Sequence, residues 1–598
     1  MTGLSYTIMN ISNEINRLLI NFQSGNKSQS YKKLLKILEE HETDIKLRFN
    51  IAIIEHSLGL IDEARFNYSY IIKKNNNLKS IINLYNLEIR ENRYQDALKL
   101  INKAIALNED LEFLYKDKAL VFLKLNKLEE CKNFCYLCLK KNNRNLDILN
   151  ILAVCFFKIG DLDKSKKIVL EVLDYDKKNI DSLNSLGRIY HEEGDTINAE
   201  RFFLNAFKIN SNSLEVLNNI AGLYRDKGDY KKSINFYLKA LKINSKNPLI
   251  LNNLGKTYLD INNIDLAKKY TQKAFMLDSE DADIQINLAF INFKNQDYKA
   301  GWLFYEGRLK NFKFSKNNLL ISDIKQKIFL SKNLNENLKL LVLREQGVGD
   351  EILYASMYND LLLNVPGALI ECDKRFLNLF KRSFKNNFVQ SGTISNYSKK
   401  LKKFDNCIYA GSLGKYFRNN ISDFSSKPYL IANIRKINEI KKYLIKYNKK
   451  INVGVSWKSF NVKYSNDRSL DLIDLKKIFE TKNCNFINIQ YGNVDQEIKE
   501  FTKKTKIKII TLKNLDLLND FDSLSALLKN LDLFFTISNT TAHLAGALGV
   551  KTILIKPSTQ ILPHYFNQHG NKTPWYSSIK FINKEELRNG KLVIENLK

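Results

Sequence analysis

Leu183–Ala206 reads LNSLGRIYHEEGDTINAERFFLNA, and sliding this window along the chain in steps of 34 residues decides the fold of the first half. The columns Leu183, Leu186, Gly187, Tyr190, Ala199, Phe203 and Ala206 become Leu217, Ile220, Ala221, Tyr224, Ser233, Tyr237 and Ala240 one step on. A further step gives Leu251, Leu254, Gly255, Tyr258, Ala267, Thr271 and Ala274. Backwards, the register passes through Leu149, Leu152, Ala153 and Phe156, then Ala119, Phe122, Cys131, Cys135 and Cys138, then Ala97 and Ala104. Small residues recur where two antiparallel helices approach, and large ones recur where the gaps are filled. Gly160-Asp161, Gly194-Asp195 and Gly228-Asp229 mark turns inside units; Asn210-Ser211-Asn212 and Asn244-Ser245-Lys246 mark turns between them.

This pattern resembles the tetratricopeptide repeat. It implies about eight units over residues 10–310, stacked into an all-α superhelix whose groove takes extended peptides or other proteins. Asn218, Asn219, Asn252 and Asn253 lie on first helices, which line the groove in this family, and paired amides offer donors and acceptors to a peptide backbone. The alternative is that Asn is simply abundant here. The last unit departs from the pattern. Gly301–Arg308 (GWLFYEGR) replaces the ordinary second helix and resembles the closing element of repeat proteins fused to a glycosyltransferase, with Trp302 and Tyr305 as packing residues that weld the array to the downstream half.

Bulk properties bound the rest. A chain of 598 residues needs several domains, and 44% hydrophobic content fits soluble globular protein. No apolar run is long enough for a membrane span and the start lacks a signal-peptide pattern, so the expected location is cytoplasmic. The formal charge of +30 is carried by Lys spread along the whole chain, without a dense block interleaved with aromatics, so nucleic acid is not expected as a partner. Cys131, Cys135 and Cys138 fall in repeat columns, with no His near them in sequence, and are read as packing thiols.

Near residue 335 the pattern changes. Leu338–Leu353 (LKLLVLREQGVGDEIL) is a buried strand feeding a helix through a Gly-rich turn and an acidic pair, a loop suited to an anion or sugar. Strand-like runs come next at 368–372, 406–409, 451–456, 485–490, 507–511, 533–537, 552–555 and 579–582, alternating with helix-like runs. That alternation argues for parallel α/β sheets. The polar, Lys-rich segment Arg435–Lys450 divides the strands into two groups, two small nucleotide-fold halves across a cleft.

Four ordered segments carry a second resemblance: Gln346–Leu353 (QGVGDEIL); Val453–Lys458 (VGVSWK) with Asn466–Leu470 (NDRSL); Thr536–Gly549 (TISNTTAHLAGALG); and Pro574–Ser577 (PWYS). Together they resemble the glycosyltransferase family that includes the lipopolysaccharide heptosyltransferases (family 9-like), in its repeat-fused form. The resemblance implies the GT-B fold, two Rossmann-like halves: a linker over 311–335, an acceptor-side half over 336–440 and a nucleotide-sugar half over 445–590. It implies an inverting glycosyltransferase with a nucleoside-diphosphate sugar as co-substrate, no cofactor and no metal. It also implies Asp350 as general base. The repeats then recruit a protein acceptor or partner; glycan or lipopolysaccharide assembly, and an inactive scaffold, are the alternatives.

The chemistry of the residues is compatible with this. Ser538, Asn539, Thr540 and Thr541 open a helix through His543, whose N-terminal amides and hydroxyls suit a diphosphate. Arg468 and Lys458 are the candidate cations. Gln490, ending a strand, is placed beside the donor's base. On the acceptor side Gly347 and Gly349 shape the loop, and Glu351 competes with Asp350 for the role of base, while Asp350 could instead cap its helix. His543 could equally be a core histidine. Two features depart from the family: the acceptor half is short, and Ser538-Asn539 stands where many heptosyltransferases have Asp-Thr.

Overall fold

The computed structural model describes residues 2–310, 334–384, 388–390, 404, 406–425, 427–447, 451–459, 469–556, 570–583 and 586–587, with backbone alone for 2–12, 389 and 390. Most of the 311–335 linker lies outside these residues, as do Asn466, Asp467 and Arg468. The chain divides into two compact units, Met1–Asn219 and Ile220–Lys598.

The first unit is helical throughout. Its first helix, Thr2–Gln23, starts ahead of the residue where the repeat reading begins, and packs on Lys27–Glu40. Ile45–Leu58 with Ile61–Asn75, Leu78–Arg90 with Tyr94–Leu107, Leu146–Ile159 with Leu162–Tyr175, and Ile180–Glu192 with Thr196–Ile209 pair in sequence order. The second unit continues the same way, with Pro248–Asp260 on Ile264–Leu277 and Ala282–Lys294 on Tyr298–Tyr305. Residues 147–280 contain no strand.

Local chemistry explains the period. Gly160, Gly194 and Gly228 take φ of +95°, +81° and +77°, left-handed turns that favour glycine, and the Asp after each caps the next helix. Asp161, Asp195 and Asp229 accept from the amides of Lys164, Asn198 and Lys232 at 3.1, 3.0 and 3.1 Å. A Cβ on Gly187 would stand 2.4 Å from the Phe203 ring, and one on Gly255 2.1 Å from Thr271 Oγ1, so these helices cross at a distance only glycine allows. The tyrosine column has a partner column that periodicity alone does not single out. Tyr190 stacks on Phe202, Tyr224 on Phe236 and Tyr258 on Tyr270, at 5.4, 5.7 and 5.6 Å between centroids. Cys131, Cys135 and Cys155 are fully buried among Leu152, Phe156 and Ala119.

Beyond residue 334 the strands are β1 (Leu340–Leu343), β2 (Leu369–Cys372), β3 (Phe388–Gln390), β4 (Asn406–Tyr409), β5 (Ile451–Val455), β6 (Cys484–Asn488), β7 (Ile509–Ile510), β8 (Leu533–Thr536), β9 (Thr552–Ile555) and β10 (Ile579–Ile582). Every pairing is parallel. One sheet runs β3-β2-β1-β4 and the other β10-β9-β8-β5-β6-β7. Each starts in the middle, grows outward on one side, then crosses to the other. The strand order therefore reverses between β1 and β4 and between β5 and β8, the switch points outside whose carboxyl ends open α/β sheets hold ligands. Strand β3 has no counterpart among the strand-like runs of the sequence, because at three residues it is too short for alternation to show. The segment read as a polar divider is in fact largely a helix, Ile434–Leu444, with Ile440 and Leu444 buried and Lys436 donating to Asp520 and Ser523 at 3.2 and 2.8 Å.

The largest apolar cluster of the second unit joins the last repeat to both sheets, while a separate one, with Val453, Trp457, Phe486 and Ile553, fills the other face of the second sheet. Phe293 and Trp302 of the last repeat pack in the same cluster as Val342 of β1, Leu413, Ala545 and Trp575. Trp302 donates from Nε1 to the Arg418 carbonyl at 2.9 Å, and a Cβ on Gly414 would stand 2.2 Å from its indole. Arg308 closes the seam. Its side chain is 0% exposed and binds Glu345 with two hydrogen bonds of 2.8 and 2.7 Å, Ser412 Oγ at 2.9 Å and Glu306 at 2.9 Å. Glu345 also accepts from the Gly411 amide at 2.6 Å, and Glu306 pairs with Lys415 at 2.8 Å. Trp302 and Tyr305 thus pack as their aromatic character implied, but a buried ion network joins them.

Candidate functional site

Four helices are numbered in chain order, α1 (Val348–Ala355), α2 (Ile434–Leu444), α3 (Asp495–Thr505) and α4 (Thr540–Leu548), and α1, α3 and α4 carry residues of the site. Helix α1 follows β1 through Arg344–Gly347, and α4 follows β8 through Ile537–Asn539. Their N-termini meet. A Cβ on Gly349 would lie 3.3 Å from His543 Cδ2 and 3.6 Å from Thr540 Oγ1. The positive ends of two helices, one from each sheet, so converge at the carboxyl edges of β1 and β8, where the first-turn amides have no intrahelical acceptor.

On the α1 side, Asp350 Oδ2 accepts from the Gly347 amide at 3.0 Å, so the carboxylate does cap its own helix. Loss of solvent pushes its pKa up to about 6; the nearby Glu345 adds to the shift and the Gly347 amide opposes it. A carboxyl near 6 is matched to accepting a proton near neutral pH. Glu351 points the other way. It is 1% exposed, pairs with Arg344 Nε at 3.0 Å and accepts from the Asp373 amide at 2.7 Å, clasping the ends of β1 and β2. Burial raises it to about 7 against the opposing Arg344. The competition the sequence left open between the two acids is thus a difference of direction: Glu351 is bound inside the half, and Asp350 lies at the helix junction.

On the α4 side, Asn539 caps the helix, accepting from the Ala542 amide at 3.0 Å, and its Nδ2 donates to Ser456 Oγ at 2.9 Å. Ser456 Oγ in turn donates to Gln490 Oε1 at 3.1 Å, joining the ends of β8, β5 and β6. No sequence pattern gives Ser456 this role, since only the fold brings residues 456, 490 and 539 together. Gln490 is engaged by backbone: its carboxamide, 1% exposed, accepts the Trp457 and Lys458 amides at 2.8 and 2.7 Å and donates to the Tyr491 carbonyl at 2.9 Å, so it shapes the loop after β5. Lys458 Nζ pairs with Glu497 of α3 at 2.7 Å, and Trp457 Nε1 donates to the same carboxylate at 3.1 Å, so its charge is already matched. Arg468 lies outside the described residues. Thr540 is half-buried and Thr541 buried. Ser538 is 4% exposed, and its Oγ has no hydrogen-bond partner among the described residues. An unsatisfied buried hydroxyl costs about 1–3 kcal/mol, a cost that a ligand oxygen would remove.

His543 is a core residue. It is 2% exposed, its Nδ1 lies 3.0 Å from Tyr576 Oη, and burial lowers its pKa to about 3. It therefore brings no positive charge near neutral pH. The sign of the linkage is definite: the folded state keeps His543 neutral while the unfolded chain protonates below about 6.5. Stability from this group is present above 6.5 and is lost as pH falls toward 3. By pH 5 the loss should be about 2 kcal/mol relative to His543→Asn, which cannot titrate. Urea unfolding of both proteins at pH 7.5 and 5 checks this; Glu351 and Glu371, raised to about 7 by burial, act in the opposite direction but equally in both proteins. Parallel pH dependence in the two would contradict it.

Two repeat profiles fall on the helical half. The "TPR repeat" profile matches residues 222–262 and the "Tetratricopeptide repeat" profile matches 180–213 and 249–281. The helical array carries tetratricopeptide repeats. A curated relative, Protein FlbA of Caulobacter vibrioides, is 25% identical over 266 residues, covering 42% of this chain and 44% of FlbA. The chain thus spans less than half the length of that relative. Among solved structures, the Cut9-Hcn1 hetero-tetramer of the APC/C aligns over 49% of this chain and 57% of its own, with 15% identity and a TM-score of 0.34. A tetratricopeptide repeat protein from Parabacteroides merdae aligns over 42% and 96%, with 15% identity and a TM-score of 0.31. YrrB, titled a TPR protein with an unusual peptide-binding site, aligns over 31% and 95%, with 17% identity and a TM-score of 0.22. Tetratricopeptide repeats suggest protein or peptide partners and an interaction or scaffold role. Among the described residues no helix is long and apolar enough to cross a membrane, and no three His, Cys, Asp or Glu side chains are grouped to hold a metal ion.

Proposed function

We propose that residues beyond 334 form an inverting, metal-independent glycosyltransferase of the GT-B type, and that the repeats bring it a protein acceptor. The observation that carries this reading is the convergence of α1 and α4 at the switch points of two parallel sheets, with Asp350 on one side and, on the other, the Ser538 hydroxyl, which has no partner among the described residues. The diphosphate of a nucleotide sugar lies against the α4 N-terminus, with Ser538, Asn539, Thr540 and Thr541 around it; Arg468 is the expected cation there. Asp350 takes the proton of the acceptor hydroxyl as its oxygen attacks the anomeric carbon. The bond from that carbon to the diphosphate breaks in the same displacement, the nucleoside diphosphate leaves with the electron pair, and the configuration inverts. Helix dipoles and directed amides stabilise the charge that develops on the leaving group.

The test uses thermal unfolding of the full chain with UDP, GDP, ADP and CDP. One of them at 100 times its dissociation constant should add roughly 2.7 kcal/mol of stability. Ser538→Ala should leave the unliganded protein as stable or more so, because the lost hydroxyl has no partner among the described residues, and should weaken that nucleotide by about 0.5–1.5 kcal/mol. If no nucleoside diphosphate stabilises the chain, the reading fails and the scaffold alternative stands.

A further inference from the structure

We propose that Tyr305, in the last repeat helix, is a positioning residue for Asp350, so that the final repeat unit is part of the transferase site; this rests on the transferase reading. The segment carrying Asp350 is held at both ends by one hydroxyl. Gln346 Nε2, in the loop before α1, donates to Tyr305 Oη at 2.9 Å, and Tyr354 Oη, within α1, lies 2.9 Å from the same oxygen. Tyr354 is four residues past Asp350, on the same face of α1. Tyr305 thus bridges from the repeats to the residues flanking the carboxylate on either side.

The loop needs such a hold. Gln346 has φ of +60°, a left-handed conformation that residues with a Cβ adopt rarely and that persists where the surroundings over-determine it. On its N-terminal side Glu345 is fixed by Arg308 and the Gly411 amide. On its C-terminal side the Gly347 amide donates to Asp350 Oδ2 at 3.0 Å. A shift of Gln346 is therefore passed to the carboxylate through one peptide and one hydrogen bond. Small displacements of a reacting group cost rate far more than binding, which is why this contact has catalytic weight though it touches no substrate.

Tyr305→Phe separates positioning from packing. The ring stays against Trp302 and Phe293, at 5.6 and 6.0 Å between centroids, and only the hydroxyl is lost. Amide hydrogen exchange of Gly347–Asp350 in the full chain should speed up by roughly tenfold or more while the global unfolding transition stays in place. With donor and acceptor, kcat should fall about tenfold or more with the donor KM unchanged. Gln346→Ala removes the same hydrogen bond, so the double variant should be no worse than the more affected single one. Unchanged exchange in Tyr305→Phe, or effects that add, overturns the proposal. Should the wild type transfer no sugar while exchange still rises, it is the transferase reading that fails, and the hold of Tyr305 on the loop stands.

Discussion

Arg308→Met is expected to destabilise the second unit by about 3–5 kcal/mol, the cost of leaving a buried charge without its partner. Arg308 is 0% exposed and Glu345 3%, and two hydrogen bonds of 2.8 and 2.7 Å join them. Without the guanidinium, among the described residues Glu345 keeps the Gly411 amide alone, and Glu306 keeps Lys415 and Ser412. Methionine fills much the same length, so packing loss is the smaller part of the effect. Arg308→Met with Glu345→Gln should recover much of the loss, because replacing a buried pair outright is close to neutral. All three tryptophans, Trp302, Trp457 and Trp575, lie in the second unit, so urea unfolding followed by their fluorescence reports on it directly. A change under about 1 kcal/mol would mean that the network is solvated in solution.

Asp350→Asn is expected to lower turnover by ~10²–10⁴ with little change in stability. The Oδ1 of Asn can take the Gly347 amide that Asp350 Oδ2 now accepts. What is lost is the ability to hold a proton. Since burial sets the Asp350 pKa near 6, wild-type kcat/KM should fall as pH drops below about 6, with the carboxyl protonated and unable to act as base. The Asn variant should lose that limb of the profile. Initial rates from pH 5 to 8 check both points; near wild-type turnover in Asp350→Asn would reduce the residue to a helix cap.

Much of the fold is legible in the sequence because its signals are local. A period of 34 needs only the recurrence of residues such as Gly187, Ala221 and Gly255, and each Gly-Asp turn declares a helix end and the next start within a few residues. The runs of β1, β8 and β9 are buried on both faces and read as unbroken apolar segments. Strand β3 was missed because its partner is β2, and nothing within three residues betrays it. The site is legible only as a set of positions. Ser538 and Asn539 could be placed at a helix start, but the direction of a carboxylate or amide depends on partners far along the chain. Glu351 is bound by Arg344 and Asp373, Gln490 by the loop after β5, and Lys458 by Glu497, pairings that no local pattern encodes. Arg308 and Glu345 each stood inside a recognised segment, yet their pairing across 37 residues appears only when the last repeat meets the first sheet.

The proposed reaction is a single displacement at the junction of α1 and α4. The measurement that meets it most directly is proton NMR of the anomeric centre while the full chain, with candidate protein and glycan acceptors, consumes nucleoside-diphosphate sugars. The expected result is release of a nucleoside diphosphate together with a product of inverted anomeric configuration, both lost in Asp350→Asn. A product of retained configuration, or consumption of no nucleotide sugar with any acceptor, would contradict the account.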